Sequence, residues 1–149
     1  MKLTALFIFV GFLDVALSCQ CLAEDLSSEE VVKRIFCEVE TVAVVRVLKA
    51  DRPTAFFGKT TYKVRLAKIY KAPEGKKDKD LYSFRSPAPS LCGVELKENE
   101  RYLVAIRNSG GEPSLEICDQ FIREGKPELQ KVTLDLKRKL NKLKKSKCE

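Results

Sequence analysis

Six cysteines constrain the fold of this 149-residue chain more than any other feature, and all of them lie after residue 18. They are Cys19, Cys21, Cys37, Cys92, Cys118 and Cys148. An even number of cysteines in an oxidising compartment is typical of a disulfide framework. We therefore expect three disulfides, although spacing alone does not choose among the possible pairings.

The first 18 residues have the pattern of a signal peptide. Lys2 supplies the positive charge, an apolar run follows, and Ala16, Leu17 and Ser18 form a small-x-small cleavage site. The apolar run is too short for a transmembrane helix and is interrupted by Asp14. We predict cleavage after Ser18, a secreted extracellular protein without membrane insertion, and a single domain over residues 19–149.

The composition argues against catalysis. The chain contains no histidine, which removes the commonest general base and the commonest zinc ligand. The Asp and Glu residues are scattered and form no evident catalytic pair. We therefore expect that the protein is not an enzyme and has no cofactor of its own. The net charge of +7 favours acidic partners such as matrix polysaccharides; nucleic acid is not expected.

Short runs rich in β-branched and aromatic residues, separated by Gly, Pro, Lys and Asp clusters, predict five strands. They lie at 39–48, 61–70, 81–85, 101–107 and 115–118, and "RNSGGEPS" has the glycines for a hairpin. Ser27, followed three residues later by Glu30, predicts an N-cap and a helix over 29–36. Five strands flanked by helices suggest a small OB-like barrel.

A second helix is predicted from Pro127, because apolar residues recur at spacings of three and four. They are Leu129, Val132, Leu136, Leu140 and Leu143. The opposite face carries Lys131, Lys137, Arg138, Lys139, Lys142, Lys144 and Lys145. This basic face is either the solvated side of a packed helix or a surface that binds polyanions.

Several motifs occur in register with the cysteines. They are "CQC" at 19–21, "SPAPSLCG" at 86–93, "RYLVAIR" at 101–107, "EICDQFI" at 116–122 and the closing "KCE". In this order and at these intervals they resemble the N-terminal inhibitory domain of the tissue inhibitors of metalloproteinases. The resemblance implies a mainly β fold, a five-stranded OB-like barrel of the netrin-module type with flanking α-helices. It also implies the disulfides Cys19–Cys92, Cys21–Cys118 and Cys37–Cys148.

The same resemblance implies a secreted inhibitor of zinc endopeptidases of the matrix-metalloprotease type. Cys19 would bind the zinc of the target enzyme through its α-amine and carbonyl oxygen, because a catalytic zinc keeps one coordination position open. An α-amine has a pKa of about 8, so part of it is neutral and can donate its lone pair. Gln20, where the family usually has Thr or Ser, would enter the S1′ pocket. The inhibitory ridge would comprise Gln20, Cys21, Leu22, Ala23, Ser90, Leu91, Cys92 and Gly93.

Two alternatives stay open. In the loop 50–59, Phe56 and Phe57 are either anchors for a partner or ordinary packing at the end of the barrel. The alternative function is a non-inhibitory netrin-type binding module that acts on extracellular matrix or a receptor, because a shared barrel does not by itself give function.

Overall fold

The computed structural model describes residues 19, 21, 24–122, 131–146 and 148. Its helices and strands are α1 (Glu29–Glu38), β1 (Thr41–Asp51), β2 (Thr60–Lys71), β3 (Leu81–Ser86), β4 (Arg101–Ser109), β5 (Glu112–Ser114) and α2 (Leu134–Leu143). Short 3₁₀ turns lie at Pro89–Leu91 and Ile117–Asp119. The strands form a closed barrel in the order β1-β2-β3-β5-β4. The predicted fold class, a mainly β five-stranded barrel with flanking helices and three disulfides, is confirmed.

The apolar residues of the barrel form two clusters. One fills the interior and includes Tyr62, Phe84 and Tyr102. The other lies between the outer face of the barrel and the two helices, where Phe36 and Leu140 are buried. Since the helices cover this outer face, successive residues of β1 and β4 are buried on both sides of the sheet. Burial of this apolar surface stabilises the attachment of both helices to the barrel.

Lys71 of β2 holds the carboxyl end of α1. Its Nζ donates hydrogen bonds to the carbonyl oxygens of Phe36, Cys37 and Val39, at 2.9, 3.1 and 2.6 Å. The last carbonyls of a helix lack partners within the helix, and a cation there is favourable. Burial lowers the pKa of Lys71. This contact fixes the end of α1 that carries Cys37.

The fifth predicted strand is in the wrong place. The hairpin in "RNSGGEPS" is confirmed, since Gly110 and Gly111 have φ of 63° and 88° and Ser109 pairs with Glu112. The tight turn lets pairing begin at once, so β5 is Glu112–Ser114 rather than 115–118. Leu115 is buried inside the barrel, and the chain then turns into the 3₁₀ segment Ile117–Asp119.

The predicted capping by Ser27 is also wrong. The N-cap of α1 is Ser28, which makes no side-chain capping bond. Ser27 instead donates from its backbone nitrogen and its hydroxyl to Oδ1 of Asp25, at 2.9 and 2.6 Å. These two hydrogen bonds lower the pKa of Asp25. The side chain of Ser27 is thus hydrogen-bonded to the carboxylate of Asp25 and does not cap α1.

The second helix begins later than predicted. Residues 123–130, which include the predicted start at Pro127 and Leu129, lie outside the described residues. The helix begins at Leu134, where Thr133 is the N-cap and its hydroxyl accepts a hydrogen bond from the backbone nitrogen of Leu136 at 3.1 Å. Leu140 and Leu143 are buried, as the spacing predicts. Among the described residues, no helix has the length and apolar character needed to cross a membrane.

Candidate functional site

Two disulfides attach the start of the described chain to two turns of the barrel. Cys19 is bonded to Cys92 and Cys21 to Cys118, each pair with a Cα–Cα distance of 5.2 Å. The third bond joins Cys37 of α1 to Cys148, with a Cα–Cα distance of 5.4 Å. These are the three pairs that the resemblance implies. Cys19 and Cys21 are therefore held beside the turns that carry Cys92 and Cys118.

The first of these turns presents exposed side chains. In Pro89–Leu91 the backbone nitrogen of Leu91 donates to the carbonyl oxygen of Ala88 at 2.8 Å. Ser90 is exposed, and Leu91 keeps 45% of its surface accessible. Cys92 follows with a φ of 67°, a left-handed conformation that is uncommon outside glycine. An exposed leucine beside a disulfide-bonded turn is a surface suited to contact with a partner.

Gly93 allows the chain to pass close to its own backbone. A Cβ at this position would lie 1.7 Å from the carbonyl oxygen of Pro87, so no other residue fits without movement. The Gly93 nitrogen donates to the carbonyl oxygen of Ala88 at 3.1 Å, and Gly93 pairs with Glu116 in an isolated bridge. The nitrogen of Ile117 donates to the carbonyl oxygen of Cys92 at 2.9 Å. The two cysteine-bearing turns are thus bonded directly to each other.

Two buried polar side chains hold these turns, and the sequence assigned no role to either. The hydroxyl of Ser86 donates to the carbonyl oxygen of Leu115 and accepts from the nitrogen of Val94, both at 2.8 Å. The side-chain amide of Gln120 accepts from the nitrogen of Ala105 at 2.9 Å. It donates to the carbonyl oxygens of Ala105 and Glu116 at 2.7 and 2.8 Å. Both residues lie inside the quoted motifs, but Ser86 follows Arg85 and Gln120 follows Asp119, so nothing in the sequence signalled that they would be buried.

Tyr62 supports the segment that follows Gly93. Its buried hydroxyl accepts a hydrogen bond from the nitrogen of Leu96 at 3.1 Å and donates to the carbonyl oxygen of Val94 at 3.3 Å. Burial raises the pKa of Tyr62, so the hydroxyl stays protonated and can donate.

Arg107 of β4 fixes the second turn. Its guanidinium donates to both carboxylate oxygens of Asp119, and the shortest of these bonds, from Nη2 to Oδ1, is 2.7 Å. The carboxylate raises the pKa of Arg107. Because Asp119 follows Cys118 directly, this bidentate pair orients the turn that holds the second disulfide.

The loop between β1 and β2 lies next to the first turn. Together with Pro87, Ala88 and Pro89, it lines a groove of about 360 Å³. An ion pair of 3.0 Å between Arg52 and Glu95 joins the two sides. Phe56 and Phe57 are 83% and 63% exposed, and their rings meet edge to face with centroids 5.0 Å apart. Neither ring is part of the buried core.

The structure therefore brings together Cys19, Cys21, Ser90, Leu91, Cys92 and Gly93. Gln20, Leu22 and Ala23 lie outside the described residues. In the described part of the chain, no group of three or more His, Cys, Asp or Glu residues is placed to hold a metal ion. The absence of a cofactor remains a prediction.

The protein is thus of a class of small, disulfide-stabilised OB-like proteins. Its defining features are the closed five-stranded barrel and the disulfides that join the amino-terminal segment to two adjoining turns. The chain belongs to the family described as "Tissue inhibitor of metalloproteinase", whose family model matches residues 18–149. It is 30% identical over 122 residues to the "Tissue inhibitor of metalloproteinase" of Drosophila melanogaster, a match that covers 80% of this chain and 51% of the relative. The chain thus spans about half the length of that relative. Members of this family are inhibitors rather than enzymes and are generally extracellular.

Proposed function

We propose that the protein inhibits zinc metalloproteinases of the matrix type by placing the α-amine and carbonyl oxygen of Cys19 on the catalytic zinc. The observation that carries the proposal is the attachment of Cys19 and Cys21 to two turns that are hydrogen-bonded to each other. This arrangement restrains the amino-terminal segment before any partner arrives. Less conformational freedom is then lost on binding, which raises affinity.

The disulfides also limit which atoms of Cys19 can bind a metal. Its sulfur is bonded to the sulfur of Cys92, so it is no free thiolate. After cleavage behind Ser18, the backbone amine and carbonyl oxygen of Cys19 would form a five-membered chelate. These two atoms would occupy the position of the zinc-bound water that the protease uses as its nucleophile.

The remaining ridge residues would contact the substrate cleft of the protease. Gln20 would enter the S1′ pocket, with Cys21, Leu22 and Ala23 following along the cleft. Ser90, Leu91, Cys92 and Gly93 would form the adjoining part of the ridge. Because Phe56 and Phe57 are exposed on a loop that shares a groove with this turn, they are suited to act as additional anchors.

The basic face of α2 favours a second partner, an acidic matrix polysaccharide. Lys139 and Lys142 are engaged with Asp135 and Glu29. Four other cations of this face form no ion pair with a residue that the structure describes, and they remain available to sulfate groups. They are Lys137, Arg138, Lys144 and Lys145. Binding of this kind would retain a secreted inhibitor in the matrix, and it is also what the alternative binding module would do.

The test is a titration of matrix metalloproteinase catalytic domains with purified protein that begins at Cys19. We expect stoichiometric loss of peptidase activity that is reversed when the complex dissociates. A correctly folded, fully disulfide-bonded protein that inhibits none of the enzymes would contradict the proposal. Retention on a heparin column in that case would favour the non-inhibitory binding module.

A further inference from the structure

The outer face of the barrel carries an apolar groove that the proposed inhibitory ridge does not use. We call it the leucine groove; its volume is about 530 Å³, and it is lined by Leu48, Lys49, Lys63, Val64, Lys76, Leu81, Tyr82 and Ser83. Leu81 is 63% exposed and Leu48 is 38% exposed. Exposed apolar surface rimmed by polar residues is typical of an interaction site. The volume falls within the range of roughly 300 to 1,000 Å³ of small-molecule sites.

A row of arginines adjoins this groove. Arg46 of β1 pairs directly with Arg65 of β2 on one side and with Arg101 of β4 on the other, and all three are exposed. Like charges directly opposite one another destabilise a sheet. None of the three forms an ion pair with a residue in the described ranges. Arg65 also pairs with Leu81, so this arginine row and the leucine groove meet.

Two of the three lysines at the rim, unlike the arginines, have an acidic partner. Lys49 and Lys63 share Asp51, with Nζ to carboxylate oxygen distances of 2.6 and 3.8 Å. Lys76 lies over the ring of Tyr82, with its Nζ 5.7 Å from the ring centroid. Among the described residues, the positive charge without an acidic partner beside the groove therefore belongs to Lys76 and to the arginine row.

The paired backbone of β1 and β2 disfavours a peptide on this face of the sheet. Residues 60–65 of β2 are paired with β3, and β1 is paired with β2 along the same stretch. A peptide lying across β1 and β2 would find their facing backbone groups already bonded to each other, and its own polar groups would lose water without compensation. On its other side β3 is paired, among the described residues, only at Arg85, so a peptide is disfavoured on the face of β1 and β2 and not at the far edge of β3. A hydrocarbon chain has no such groups. An apolar groove next to unpaired cations thus matches a ligand with a hydrocarbon tail and a negative head group.

We propose that this face binds a single-chain anionic lipid, with its acyl chain against Leu48 and Leu81 and its head group on Arg46 and Arg65. The site lies on the outer face of β1, β2 and β3, and its lining includes no residue of the cysteine-bearing turns. Binding there is independent of the proposed protease inhibition.

The test is a calorimetric titration of the disulfide-bonded protein with laurate, held below its critical micelle concentration. We expect saturable binding of one laurate per protein, and binding of uncharged monolaurin that is at least about tenfold weaker.

Leu81→Asn should weaken laurate binding by about tenfold or more, since it removes an apolar contact. The double variant Arg46→Gln with Arg65→Gln should weaken it similarly. Leu134→Asn in α2 and Lys33→Gln in α1, which alter exposed residues outside the groove, should bind as the parent protein does.

Circular dichroism and inhibition assays on the same variants keep the outcome interpretable. Leu81 and the arginines are exposed, so the variants should fold and inhibit as the parent does. Absence of saturable laurate binding, or equal affinity in Leu81→Asn, would overturn the proposal. It would also be overturned if vesicles with phosphatidylserine bound the protein while laurate did not. Binding of a heparin fragment that is lost in the Arg46→Gln with Arg65→Gln variant, without any laurate binding, would identify this face as a polysaccharide surface instead.

Discussion

Gly93 has no room for a side chain, because the carbonyl oxygen of Pro87 occupies the place of a Cβ at 1.7 Å. Gly93→Ala should therefore force the Pro87 and Cys92 segments apart and lower the free energy of unfolding by about 1–3 kcal/mol. Chemical denaturation of the oxidised protein measures this change. Ser90→Ala, three residues away and exposed, is the control and should leave stability unchanged. Equal stability of both variants would show that the turn can relax.

Gln20 should determine which proteases are inhibited, if the proposed contact with S1′ is correct. Replacing it by glycine removes the side chain but leaves the backbone of Cys19 intact. Affinity should fall by roughly one to three powers of ten, and unequally between enzymes with deep and shallow S1′ pockets. Inhibition constants across a panel of proteases measure this. Identical constants for parent and variant across the panel would place Gln20 outside the interface.

The two helices are joined by an ion pair that should respond to pH. Lys142 hydrogen-bonds to Glu29, and this contact lowers the pKa of the Glu29 carboxyl. A lowered pKa in the folded state means that the contribution to stability is present at neutral pH and is lost as the pH falls through that pKa. Glu29→Gln should thus lower the melting temperature at neutral pH and have no effect in acid. Thermal melts over a pH series measure the difference between variant and parent.

Glu30→Gln provides the control for this experiment, since Glu30 is an exposed residue in the same first turn of α1. Its substitution should change the melting temperature little at any pH. A pH-independent difference between Glu29→Gln and the parent would show that the ion pair with Lys142 does not contribute.

Enrichment in β-branched and aromatic residues was sufficient to locate β1 to β4, because each of these strands buries residues in one or both of the apolar clusters. It failed for β5, where only three residues pair and the burial of Leu115 continues beyond the strand. Sequence spacing also missed the hydrogen bonds from Ser27 to Asp25, since a choice between local side-chain hydrogen bonds depends on local geometry. Short elements and side-chain caps were thus less predictable than long strands.

At the level of the whole molecule, the cysteines connect parts of the chain that are 73, 97 and 111 residues apart. Through the family resemblance, the motifs implied which cysteines pair, and therefore which turns form the candidate ridge. They did not identify Ser86, Gln120 or Tyr62, because these residues act through hydrogen bonds to backbone atoms distant in sequence. Such contacts become visible only once the barrel has closed.

Chelation by the backbone of Cys19 requires a free α-amine, and this requirement can be tested directly. One extra alanine before Cys19, or acetylation of its amine, replaces a lone-pair donor by an amide and adds bulk beside the metal. The disulfides and the barrel do not use that amine, so circular dichroism and melting should be unchanged. The inhibition constant for a matrix metalloproteinase should rise by several powers of ten. If the extended or acetylated protein inhibits as strongly as the one that begins at Cys19, zinc chelation by this residue is not the mechanism.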